Sequence, residues 1–165
     1  MDPKIEEHAK ILVNYSTDVK KGDQVVISAS PDAHELAVAV SRFVAKAGGI
    51  SITLMSSEEI SRAAYDGAED ETLEVFPSHL MALAEKTDVF ISINSPVNIK
   101  ALANVDPKRT MIRAKATKPV YDLLMKKRWV GTVHPNAALA QQGNMSLQEY
   151  REFVYGATLI DWEKE

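Results

Sequence analysis

Residues 24–55 read QVVISASPDAHELAVAVSRFVAKAGGISITLM, and the pattern of this stretch decides the fold. Gln24–Ser28 is a short β-branched run bounded by polar residues, which predicts a buried strand. Ser30-Pro31-Asp32 then supplies the capping side chains and first-turn proline of a helix start. Leu36, Val40, Phe43, Val44 and Ala47 recur on one helical face. Gly48-Gly49 ends that helix, because a left-handed C-cap costs glycine nothing, and Ile50–Met55 is a second strand. Strand, helix, strand with short connections is the unit that places two strands parallel, with a right-handed crossover expected.

The alternation extends in both directions. Upstream, Asp2-Pro3 opens a helix whose Ile5, Ala9, Leu12, Val13, Ser16 and Val19 share a face to about Val19, and Lys21-Gly22-Asp23 turns out of it. Downstream, Ser56 or Ser57 caps a helix with Glu58 and Glu59 in its first turn, and Asp66–Glu71 is a polar break. Leu73–Phe76 fits either helix or strand, and Pro77-Ser78 opens a further helix. Asp88–Ile93 is the third strand, followed by a turn over Asn94–Asn98. Asp106-Pro107 begins a helix to about Ala116, and Thr117 with Pro119 begins a shorter one to Lys127. Trp129–Val133 is the fourth strand. After a turn at Pro135-Asn136 come a brief helix, Ala137–Gln142, and a long one from Ser146 to Ile160. The long helix starts on a capping box, Ser146-x-x-Glu149.

Four short apolar strands separated by helices predict an α/β fold, three-layer, with a mostly parallel sheet flanked by helices on both faces. The 165 residues show no repeat and no low-complexity linker, so residues 1–165 read as a single α/β domain. The expected core is Val25, Val26, Ile27, Leu36, Phe43, Ile52, Leu54, Val89, Phe90, Ile91, Ile93, Val130 and Val133.

Composition narrows the function classes. The chain is 45% apolar and 25% charged with no cysteine, which suits a globular protein without disulfides or thiolate metal sites. No apolar run approaches the ~18 residues of a membrane span, and the N-terminus has no basic, apolar leader, so the expectation is a cytoplasmic protein with no membrane partner. A net charge of −4 argues against nucleic acid. The charge is uneven, however. Lys108–Arg128 holds eight basic residues against Asp122, and Glu58–Glu74 holds seven acids against Arg62. Two solvated faces, or a contact surface for an acidic partner, are the readings of that asymmetry.

In an open α/β sheet, ligands bind beyond the carboxyl ends of the strands, where loops and helix N-termini converge. The candidates there are Ser30, Asp32 and His34 after the first strand, Ser56 and Ser57 after the second, Asn94, Ser95 and Asn98 after the third, and His134 and Asn136 after the fourth. Each also has a plain explanation as a cap or turn residue. No phosphate-cradling glycine motif and no G-x-S-x-G elbow occurs. His8, His34, His79 and His134 are far apart, and none has a second ligand at metal-motif spacing. A free-standing small-ligand-binding module therefore stands as one reading.

A second reading comes from residues 129–162. Thr132, Pro135, Ala138, Ala140-Gln141, Met145-Ser146-Leu147-x-Glu149-Tyr150 and Phe153-Val154-Tyr155-Gly156-Ala157 resemble the segment that closes the N-terminal domain of the thermophilic metalloaminopeptidases, of the aminopeptidase T and aminopeptidase S type. Asn144 stands where glycine is expected before Met145, and Asn is one of the few residues that tolerate the same left-handed turn. The resemblance implies an aminopeptidase parent in which a divalent metal pair, zinc or cobalt, is held by a C-terminal catalytic domain. It implies for this chain a non-catalytic role in domain packing and in a homodimer, with no metal, cofactor or catalytic residue of its own.

The last helix has a broad apolar stripe: Leu147, Tyr150, Phe153, Val154, Ala157 and Ile160. Tyr150, Val154 and Ala157 fall near one line, and Phe153 with Ile160 near another about 60° away. One line docks the helix, and Tyr150, Phe153, Val154, Ala157 and Ile160 together are a candidate interface. The charged tail after it, Asp161–Glu165, has no glycine C-cap, so the expectation is a chain that continues beyond Glu165.

Overall fold

The computed structural model describes residues 2–162 and 164; Glu163 and Glu165 of the charged tail lie outside the described residues. Its elements run in chain order as α1 (Pro3–Lys10), a π-helical continuation (Ile11–Ser16), β1 (Gln24–Ala29), a 3-10 turn (Pro31–Ala33), α2 (His34–Lys46), β2 (Ile50–Met55), α3 (Glu58–Gly67), α4 (Asp70–Glu74), α5 (Ser78–Lys86), β3 (Val89–Asn94), α6 (Pro107–Leu124), β4 (Arg128–Val133), α7 (Ala137–Gln142) and α8 (Leu147–Thr158). The four strands form one parallel sheet in the order β2-β1-β3-β4. This is the three-layer α/β architecture that the strand and helix spacing predicts.

Strand side chains alternate between faces. Val25, Ile27 and Ala29 of β1 and Val89, Ile91 and Ile93 of β3 share one face, and pack with Ile5, Ala9, Leu12 and Val13 of the first helix, Leu36, Val40 and Val44 of α2, and Tyr155 of α8. That face is closed and holds the main core. The opposite face, carrying Val26 and Phe90, is covered by α5 and α6, which leave an apolar chamber of about 190 Å³ between themselves and the sheet.

The edges of the sheet correct part of the expected core. Ile52 and Leu54 are exposed, at 48% and 37%, because β2 pairs with β1 on one side only. Phe43, Phe90, Val130 and Val133 are half-buried. A continuous apolar run predicts a strand but not whether it ends up at an edge. The helices from Asp106 and Thr117 prove to be one, α6, with Pro119 inside it. Proline removes the N–H that would bond the Lys115 carbonyl. Val120 is nevertheless buried, and the Thr117 hydroxyl donates to the Arg113 carbonyl at 3.0 Å, so packing carries the helix through.

The first helix departs from α geometry where the Thr17 N–H bonds the Leu12 carbonyl at 3.2 Å, a five-residue step, and the Thr17 hydroxyl donates to the same oxygen at 2.7 Å. This widened turn ends the helix at Ser16, while Val19 remains buried. Gly49 shows why a second glycine follows the C-cap. A Cβ there would meet Val19 Cγ1 and Val44 Cγ1 at 2.9 Å, and Gly48 itself has φ +82°.

The runs of opposite charge meet each other. Arg109 of α6 pairs with Asp70 of α4 at 2.8 Å and donates to the carbonyls of Tyr65 and Ala68, while Arg113 donates to the Val75 carbonyl at 3.2 Å. Part of the asymmetry thus clamps α3–α4 onto α6 within the chain.

Candidate functional site

The predicted strand-end residues separate into two groups and two outliers. The first is a hydrogen-bonded knot at the ends of β1, β3 and β4. The Ser95 N–H donates to Ser30 Oγ at 2.9 Å. The Ser95 hydroxyl lies 2.9 Å from the His134 carbonyl and 3.2 Å from Asp32 Oδ2, and receives the Asn136 amide at 3.1 Å. Asn136 also donates to the Pro96 carbonyl and caps α7 by accepting from the Leu139 N–H at 2.9 Å. Ser95, His134 and Asn136 are buried. The Ser95 hydroxyl, the Asn136 amide and the His134 carbonyl are spent within the knot, and what this arrangement does chemically is fix three loop starts.

The second group is a crevice of about 260 Å³, open to solvent at the ends of β1, β2 and β3. Asn94 and Ser30 lie on its wall with Ser56 and Ser57. Ser28, Ser61 and Ser92, which the sequence analysis did not single out, line it too. Ser28 and Ser92 sit inside strands, where a hydroxyl reads as an ordinary strand residue, and only the register that sets them side by side reveals them. The outliers are His34, exposed at the start of α2, and Asn98, which accepts from the Lys100 N–H in a local turn.

Behind the knot lie two buried imidazoles. His8 of α1 is 1% exposed, its Nε2 lies 2.9 Å from Thr132 Oγ1, and its ring meets Tyr155 edge-on at 6.1 Å. Neither His8 Nδ1 nor His134 Nδ1 has a hydrogen-bond partner in the structure. Burial, and then the charge His134 would carry, push His8 down to about 4. Burial lowers His134 as well, against the pull of Asp32 and Glu35. Both rings are therefore neutral near pH 7, a state in which a bare lone pair at Nδ1 is tolerable where an unbonded N–H would not be. Burial also raises the Tyr155 hydroxyl.

The last helix, α8, ends at Thr158 and not at Ile160, and the candidate interface residues on and just past it divide by exposure. Val154 is buried and Tyr150 half-buried, whereas Ala157, Phe153 and Ile160 are exposed, Phe153 at 61%. The inward-facing set cuts across the two lines that the spacing picks out. Val154, Tyr155 and Thr158 face inward, with Tyr155 taken into the core beside His8.

The model of the thermophilic metalloprotease (M29) family matches residues 1–164. The chain belongs to that family. Among solved structures it is similar to wild-type AmpT from Thermus thermophilus, with a TM-score of 0.72 at 17% identity over 94% of this chain and 42% of that one. At that identity the likeness speaks for the fold. A similarity to the CurK enoyl reductase, at 12% identity over 93% of this chain and 50% of that one, has a TM-score of 0.36 and bears on nothing here. No curated protein matches the chain. The chain thus spans less than half the length of AmpT. Among the described residues, no three His, Asp or Glu side chains converge as metal ligands, so the M29 metal does not fit the donors of this stretch. No helix among them is long and apolar enough to cross a membrane.

Proposed function

We propose that this chain is the non-catalytic α/β domain of a cytoplasmic, metal-dependent aminopeptidase, which removes N-terminal amino acids from peptides. The observation that carries the reading is the M29 match over residues 1–164, on a chain that covers 42% of AmpT. The zinc or cobalt pair belongs to a C-terminal catalytic domain, and this domain contributes packing surface and a share of a homodimer. The exposed apolar edge formed by Phe153 and Ala157 of α8 and by Ile160 just past it supports that role, since such patches often mark contact sites.

The test pairs metal analysis with activity. Purified residues 1–165 are expected to retain no stoichiometric zinc or cobalt after dialysis and to leave aminoacyl reporter substrates intact. The same chain fused to the metal-bearing half of an M29 enzyme is expected to hydrolyse them. Metal-dependent turnover by residues 1–165 alone overturns the reading.

A further inference from the structure

β1 leads through α2 to β2 on one side of the sheet, whereas β3 leads through α6 to β4 on the other. β1 and β3 are neighbours, so their carboxyl ends mark the point where the strand order reverses. The two connections diverge there and leave a gap that a ligand can enter. The hydroxyl-lined crevice occupies this gap.

Its side chains are unevenly committed. Ser30 Oγ accepts from the Ser95 N–H, and Ser57 Oγ caps α3 by accepting from the Ile60 N–H. The side chains of Ser28, Ser56, Ser61, Ser92 and Asn94 make no hydrogen bond within the described residues, although all line the one crevice. Four hydroxyls and an amide are thus held ready at one place. Ser28 is also shared with the apolar chamber on the same face of the sheet, whose wall includes Leu54, Leu80, Leu83, Phe90, Val120 and Leu124. A polar mouth therefore adjoins an apolar chamber, and together their size suits the roughly 300–1,000 Å³ range of small-molecule sites.

The charge in the mouth restricts the ligand. Glu58 is the one ionisable side chain on its wall, and no Lys, Arg or His lies there. A phosphate or other dianion would meet a carboxylate with no basic partner, while a simple cation would leave the hydroxyl donors unused. A group that carries an ammonium and a carboxylate uses both.

We propose that the crevice and chamber bind a free α-amino acid with an apolar side chain. The ammonium pairs with Glu58, and the carboxylate accepts from the Ser56, Ser61 and Ser92 hydroxyls and the Asn94 amide beside the positive N-terminal end of α3. The side chain passes Ser28 into the chamber. This site is complete within the chain and requires no catalytic half, so it stands or falls separately from the aminopeptidase reading.

The experiment is a titration of the isotope-labelled 165-residue protein, followed by amide chemical shifts, with L-leucine, glycine and 4-methylpentanoate as probes. Saturable shifts with L-leucine are expected at residues 28–30, 56–61 and 92–94 and at Leu80, Leu83 and Phe90. Glycine lacks the apolar group and 4-methylpentanoate lacks the ammonium, so each is expected to bind at least about tenfold more weakly, the equivalent of one lost good contact. Glu58→Gln, at a half-buried helix start, should weaken L-leucine by a similar factor with an unchanged spectrum elsewhere. Absence of saturable shifts with L-leucine at millimolar concentration overturns the proposal. So do shifts outside those segments, or equal binding of 4-methylpentanoate.

Discussion

At the scale of single residues, His8 and, beside it, His134 are buried neutral and tie folding to pH. The neutral His8 ring is sealed between Thr132 and Tyr155, with Lys4 5.7 Å from the centroid of the Tyr155 ring and His134 near enough to oppose a second positive charge. An unfolded histidine takes up a proton near 6.5, whereas folded His8 does so only near 4. Between those values the unfolded state binds the extra proton, so the stability that His8 contributes falls as pH drops from about 6.5 and is lost below about 4. A shift of that size corresponds to roughly 3 kcal/mol, since each pH unit of difference is worth about 1.4. Urea midpoints at pH 7, 5.5 and 4.5 measure it, and His8→Gln should flatten the profile across that window. An unchanged slope in that variant would locate the acid sensitivity elsewhere. None of this was legible in the sequence. His8 reads there as one polar residue among the charges of PKIEEHAK, and its burial depends on Tyr155, which arrives from the other end of the chain.

At the scale of elements, starts were easier to read than fates. The capping box predicted at Ser146 is present: Ser146 Oγ accepts from the Glu149 N–H at 3.2 Å and Glu149 accepts from the Ser146 N–H at 2.7 Å. The Ser146 hydroxyl and then its backbone N–H hold the Glu149 carboxyl below its usual range. Ser146→Ala should lower stability by about 1 kcal/mol in denaturant unfolding, the usual cost of a good N-cap. Asn144 takes the left-handed turn expected of it, with φ +55°. Such signals are local, so a single sequence contains them. The continuity of α6 is different in kind. Pro119 reads as a helix boundary from propensity alone, and only burial of Val120 against the sheet overrides it. The override leaves a measurable residue. Pro119→Ala restores the N–H facing the Lys115 carbonyl and should stabilise the protein by roughly 2 kcal/mol, the interior-proline cost less the entropy that proline removes from the unfolded chain. Thermal unfolding that shows a loss instead would mean that the proline ring is packed, not tolerated.

At the scale of the whole molecule, one face of the sheet is closed by α1, α2 and α8, and the other is covered in part by α5 and α6, so apolar surface remains exposed, on β2 and around α8 among other places. Ile50, Ile52 and Leu54 are exposed on β2, Phe153 on α8, and Ile160 just past the end of that helix. Periodicity identified the apolar positions but could not say which side of an edge strand or of a broad helical stripe would find cover. That depends on where neighbouring layers stop. On α8 the inward position is taken by Tyr155, whose contact with His8 fixes the rotation of the helix and turns Phe153 outward. Phe153 stacks on Tyr150 at 6.4 Å, which pre-orders an aromatic pair at the surface. Pre-ordered aromatics lose little side-chain entropy on contact, which favours them as interface anchors. Two copies meeting through this patch would form a two-fold dimer, the usual outcome for a self-complementary surface. Sedimentation should therefore show a concentration-dependent monomer–dimer equilibrium for the 165-residue protein. Phe153→Asp should shift it to monomer without changing the circular dichroism, because that side chain contributes little to the core of its own chain. A wild type that stays monomeric at high concentration would rule out self-pairing through α8 and leave the patch to the proposed catalytic domain.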